Sequence, residues 1–148
     1  MTQTLSRNTF LLGLGLAVLS SAAIAHAAVT DPTVKARMQG MKDIRTHYAI
    51  MGDMVKGKTE FDAAAAQAAM AELAIEAENI PALFADPAAD PESEAKPAIW
   101  DNMDDFAQKA DALYAAAMAA DTSSLDGARA SMKQIGMTCK ACHDDYKD

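Results

Sequence analysis

The sequence predicts an all-α chain folded as an antiparallel up-down-up-down four-helix bundle, on three observations. Apolar residues recur at steps of three and four in four separate segments. No segment shows the apolar–polar alternation of a strand. Alanine and methionine are abundant while aromatic residues make up only 5% of the chain, a composition suited to close helix packing.

The first 27 residues are expected to stand outside that bundle as a cleaved secretory signal peptide. Arg7 supplies a positive start, Phe10 to Leu19 a short apolar run, and Ala25-His26-Ala27 a small-residue cleavage site. Ala23-Ile24-Ala25 is a second candidate, so cleavage after Ala25 or Ala27 stays open. The run of about 10–14 residues falls short of the roughly 20 needed to span a bilayer, which argues against an uncleaved anchor. Export points to a bacterial periplasm. Residues 28–148 remain, one domain's length. Losing Arg7 moves the net charge from −8 to −9. That acidity argues against nucleic acid and against stable association with anionic membranes. It suits a partner with a basic docking patch, and equally suits plain solubility.

Within 28–148 the first helix is expected from about Pro32 to Val55, capped by Asp31. Val34, Met38, Met41, Ile44, Tyr48, Met51 and Val55 form its stripe, and Gly57 sits where helices end. The second is expected from near Thr59 to about Asn79, closed by Pro81, with Ala66, Met70, Leu73, Ala77 and Ile80 inward. Phe84 to Pro97, rich in proline and acids, reads as an exposed loop. A third helix runs from Ile99 through Met103, Phe106, Ala110, Leu113 and Ala117 to Ala120, with Asp101 or Asn102 as cap. The fourth starts at Ser123 or Ser124. Its stripe of Leu125, Ala128, Met132, Ile135, Cys139 and Cys142 carries the only two cysteines.

Those cysteines open the motif Cys139-Lys140-Ala141-Cys142-His143, the C-x-x-C-H spacing of c-type haem attachment. Two residues three apart share a helix face and can each form a thioether with one haem. His143 then supplies an imidazole nitrogen to the iron. A redox-active dithiol would want a strand before the motif and a helix N-terminus beneath it, and neither pattern is present. Structural zinc needs four ligands, and outside the motif only His47 remains to add. A haem-free zinc or interaction protein is therefore the reading set against one covalent haem c.

The chain resembles the cytochrome c′ family, the class II c-type cytochromes, over all of residues 28–148. The resemblance rests on the ending Cys139 to Tyr146, on Lys96-Pro97-Ala98-Ile99-Trp100, on Arg37 with Met41, and on Lys56-Gly57 followed by Phe61-Asp62. Lys147 stands where relatives often have arginine, and the loop after Phe84 lacks their glycine-rich turn. The resemblance implies that Arg37 meets a haem propionate, although a solvated arginine fits the sequence as well. It also implies that Met41 occupies the distal position. Members with a non-ligating residue there are five-coordinate and bind small gases; a low-spin branch uses methionine as sixth ligand. Methionine on a helix stripe is ordinarily core filler, and Met38 one turn earlier is a rival ligand. Trp100 and Tyr146 read as packing groups, and His47 as a surface histidine.

The leading expectation is a periplasmic monohaem electron carrier, not an enzyme, with His143 and Met41 as axial ligands. Its partners would be transient redox proteins, and the resemblance allows a homodimer through the first two helices. The alternative is a five-coordinate cytochrome c′ binding nitric oxide or carbon monoxide.

Overall fold

The structure is a computed structural model and describes residues 28–148. The expected signal peptide and its candidate cleavage sites lie outside the described residues. Helix α1 (Pro32–Val55) has the bounds expected from sequence. The Asp31 carboxylate accepts from Val34 N at 2.9 Å, and Pro32 occupies the first turn. At the other end Gly57 takes a φ of 70°. Gly57 N donates to Met54 O and Lys58 N to Asp53 O, a Schellman closure that needs the left-handed residue.

Helix α2 (Ala63–Leu83) departs from expectation at both ends. Asp62, not Thr59, is the cap, and its carboxylate accepts from Ala64 N at 2.9 Å and Ala65 N at 3.0 Å. Two orphan amides satisfied by one anion outweigh a hydroxyl three residues earlier. Nor does Pro81 close the helix. This near the end it removes only its own N–H, and Ile80 O still accepts from Phe84 N at 3.2 Å.

The third segment is not one helix. A short turn, α3 (Ala98–Asp101), breaks at Asn102 before α4 (Met103–Met118) begins. The Asn102 amide donates back to Ala98 O at 3.1 Å and makes no cap bond to α4. Helix α5 (Leu125–Tyr146) starts on Ser124, whose hydroxyl accepts from Gly127 N at 3.1 Å.

The four long helices form a ring in which α1 packs on α2, α2 on α4, α4 on α5 and α5 on α1. Met51, Leu73, Ile99 and Ile135 are fully buried at its centre. Small residues let helices approach. A Cβ on Gly40 of α1 would stand 2.6 Å from Leu83 Cδ1 of α2.

The loop from Phe84 to Pro97 is not the free surface segment expected from its composition. Phe84 is 7% exposed and lies 5.0 Å, centroid to centroid, from Phe106. Asp90 Oδ2 accepts from Thr30 N, Thr30 Oγ1 and Asp31 N, and Oδ1 accepts from Glu92 N. The loop's far end pairs antiparallel with the C-terminal tail: Lys96 N donates to Tyr146 O at 3.0 Å, and Asp148 N to Glu94 O at 2.9 Å. Among the described residues no helix is long and apolar enough to cross a membrane.

Candidate functional site

Cys139 and Cys142 lie in the last two turns of α5 as free, half-buried thiols packed against the core. Burial raises the Cys139 pKa and pushes Cys142 up to about 11. That is the wrong direction for a redox-active dithiol, which needs a stabilised thiolate. Among the described residues no group of three His, Cys, Asp or Glu side chains could hold a metal ion, so the zinc reading finds no ligand set. His143 is exposed, its pKa lowered first by partial burial and then by Lys147. Lys147 follows the last residue of α5 and pairs with Glu94 at 2.9 Å.

The register between α1 and α5 follows from two contacts. Gly52 faces Met132, where a Cβ would stand 3.2 Å from the methionine Cε. One turn earlier on α1, Tyr48 faces Gly136, and its hydroxyl donates to Met132 O at 3.0 Å. Four residues back on α1 thus match four residues forward on α5. Seven more on each helix, about two turns, set Met41 level with His143 and Met38 level with Tyr146. The same two turns keep His143 on the side of α5 that Gly136 turns toward α1. Met41 is half-buried and packs against the core; Met38 is partly covered but does not join that cluster. Tyr48 lies beside Cys139, and its pKa is raised mainly by burial and further by that thiol. His47, next to it, is partly covered rather than a free surface histidine.

Arg37 is the largest departure from a bland reading. It is 2% exposed, so it is no solvated surface arginine. Its Nε donates to Leu83 O at 3.1 Å and its Nη1 to Ala88 O at 2.9 Å, which ties α1 to the end of α2 and the following loop. The guanidinium also lies over the rings of Phe84 (5.2 Å) and Trp100 (5.0 Å). Trp100 in turn donates from Nε1 to Phe84 O at 2.8 Å. Desolvation lowers the Arg37 pKa, opposed by Asp86 and Asp31. Its Nη2 is a buried nitrogen with no hydrogen-bond partner among the described residues. A buried cationic donor without an acceptor suits an anionic group brought by a cofactor.

These residues fit haem c: two thiols on one face, an imidazole beside them, a thioether level with it, and an unspent guanidinium N–H. Sequence reasoning missed what braces the set. Tyr146 donates its hydroxyl to Asp105 at 2.6 Å and packs edge-on to Phe106 at 5.3 Å, while Lys109 reaches Asp145 at 3.1 Å. The only signal for this in the sequence is the Asp105–Lys109 spacing of four on α4.

Comparison with known proteins gives the family. The sequence model of the family described as Cytochrome C′ matches residues 32–147. A cytochrome c-556 of Agrobacterium tumefaciens (strain II Chrys) is 35% identical over 117 residues, covering 77% of this chain and 95% of the relative. The solved cytochrome c′ of Rhodopseudomonas palustris superimposes with a TM-score of 0.72 at 29% identity, covering 80% of this chain and 98% of that one. A nitric oxide complex of a substituted cytochrome c′ from Alcaligenes xylosoxidans gives a TM-score of 0.68 at 32% identity, covering 78% and 94%. The match runs from the first turn of α1 to the residue after α5 and so includes the C-x-x-C-H ending. The chain therefore belongs to the cytochrome c′ family, its cofactor is covalent haem c, and Cys139 and Cys142 fit the attachment.

Proposed function

We propose that this protein is a periplasmic electron carrier whose single haem is six-coordinate, with His143 and Met41 as axial ligands. Bound haem c supplies one-electron exchange. The chain's own part is to hold it: Cys139 and Cys142 as thioethers, His143 as proximal nitrogen, Met41 as the group that covers the opposite side. Arg37 Nη2 would donate to a propionate, which would give that buried N–H its acceptor. A thioether ligand raises the reduction potential and closes the iron to small gases.

The observation that carries this reading is the α1–α5 register, which sets Met41 level with His143 while Met38 falls a turn away and outside the core cluster. The N-terminal pattern around Arg7 and Ala27 supports export to the periplasm, checked by sequencing the N-terminus of the exported holoprotein. Transient redox proteins are the expected partners, and sedimentation of the holoprotein would decide between monomer and dimer.

The deciding experiment is the absorption spectrum of oxidised and reduced holoprotein, with carbon monoxide added to the reduced form. Met–His ligation gives a weak long-wavelength sulfur-to-iron band when oxidised, and sharp low-spin bands that carbon monoxide barely moves. Met41→Leu then abolishes the sulfur band and opens the iron. A high-spin wild type that binds carbon monoxide readily would overturn the ligand assignment. The gas-binding reading would then take over, in keeping with the nitric oxide complex of a substituted cytochrome c′ from Alcaligenes xylosoxidans.

A further inference from the structure

We propose that Lys109 is a positioning residue that holds a fixed cation beside the haem-bearing turn and so raises the reduction potential. Its ammonium lies 3.1 Å from Asp145 Oδ2 and 3.7 Å from Asp105 Oδ2, a bridge from α4 to the last turn of α5. Asp145 comes three residues after Cys142, one helical turn along the same flank. The Lys109 side chain is 24% exposed, against 73% for Lys140 and 63% for Lys58. Its anchors are themselves fixed. Asp105 also accepts from the buried Tyr146 hydroxyl, and Tyr146 is wedged against Phe106.

The consequence is electrostatic. Reduction adds one electron to the haem, so a nearby cation favours the reduced form and a nearby anion opposes it. Asp105 and Asp145 are 55% and 58% exposed, so water and salt screen them more than they screen the sheltered lysine. Without Lys109, the two carboxylates lose the cation they are paired with among the described residues. The inference rests on haem at Cys142 and, for its purpose, on the electron-carrier reading. It does not depend on the identity of the sixth ligand.

The test is the midpoint potential of the holoprotein carrying Lys109→Met, beside Lys109→Arg, which keeps the charge. Lys58→Met is the control, an equal charge change beyond the far end of α1. Lys109→Met should lower the ferrous-to-ferric ratio at fixed potential by up to about tenfold, or about 59 mV for one electron. Added salt should shrink that difference. Lys109→Arg and Lys58→Met should stay near wild type, and the absorption spectrum should not change in any of them. A Lys109→Met potential no lower than that of Lys58→Met would overturn the proposal. If Lys109→Met does not accumulate as holoprotein, Lys109→Gln decides instead: a lowered potential supports the fixed-charge role, and one no lower than that of Lys58→Met rejects it. A wild-type spectrum lacking Met–His bands would defeat the ligand assignment alone and leave the Lys109 comparison measurable.

Discussion

The α1–α2–α4 side of the bundle and the α5–α1 seam share helix α1 but follow different rules. On the first side Ala66, Leu73 and Ala77 of α2 are wholly covered, and Gly40 admits Leu83 at the crossing. The one buried charged side chain there is Arg37, which donates to Leu83 O; along the rest of that side shape and apolar area suffice. Along the α5–α1 seam Met41, Tyr48, Cys139 and Cys142 are each only half-buried, and a tyrosine hydroxyl donates to a helix carbonyl. Soft sulfur atoms and one directional bond stand where the other side has alanine and leucine. One side carries stability and the other carries chemistry, so mutations on the two should separate those properties.

The largest effect belongs to the seam. Replacing both Cys139 and Cys142 by serine should remove covalent haem altogether, read as loss of haem stain after denaturing electrophoresis. Retained stain would sink the attachment assignment. The comparison sharpens on stability. Leu73→Ala should cost about 2–5 kcal/mol in denaturant unfolding, as a buried leucine truncated among close neighbours. Met41→Leu, nearly volume-conserving and half-buried, should cost less than about 1.5 kcal/mol in the apoprotein while changing the holoprotein spectrum. Equal costs for the two would erase the division. Gly40→Val falls between them, at about 1–3 kcal/mol from overpacking against Leu83.

The smallest effect lies in the loop bracing both sides. Backbone N–H groups of Glu92, Thr30 and Asp31 hold the Asp90 carboxyl at about 2, below its ordinary 3.8. A depressed carboxyl stabilises the fold above its unfolded value, and that contribution disappears as pH falls from about 3.8 through about 2. Asp90→Asn should therefore flatten the fall of the urea midpoint between pH 4 and pH 2. An unchanged slope would mean the clasp contributes nothing.

Much of this was legible in the residues. Asp31 with Pro32, Lys56-Gly57 and Ser124 announce helix ends by local chemistry, and each end falls where that chemistry puts it. The misplaced ends have tertiary or competing causes. Asp62 displaces Thr59 because a carboxylate reaches two amides, and α2 outlasts Pro81 because Leu83 O finds a donor in Arg37 from another helix. The loop after Phe84 looked free because its composition is polar. Its order comes from partners far away in sequence, Thr30, Arg37 and Tyr146.

By itself the sequence determined the helical class, the order of the elements and the identity of the haem motif. Helical periodicity, cap chemistry and a five-residue spacing are all local, and local physics can be read in one dimension. Tertiary structure decided which methionine stands level with His143, that Arg37 is buried with an N–H unspent, and that Lys109 of α4 reaches Asp145 of α5. Those depend on the register and facing of helices well separated in the chain, which side-chain packing alone fixes.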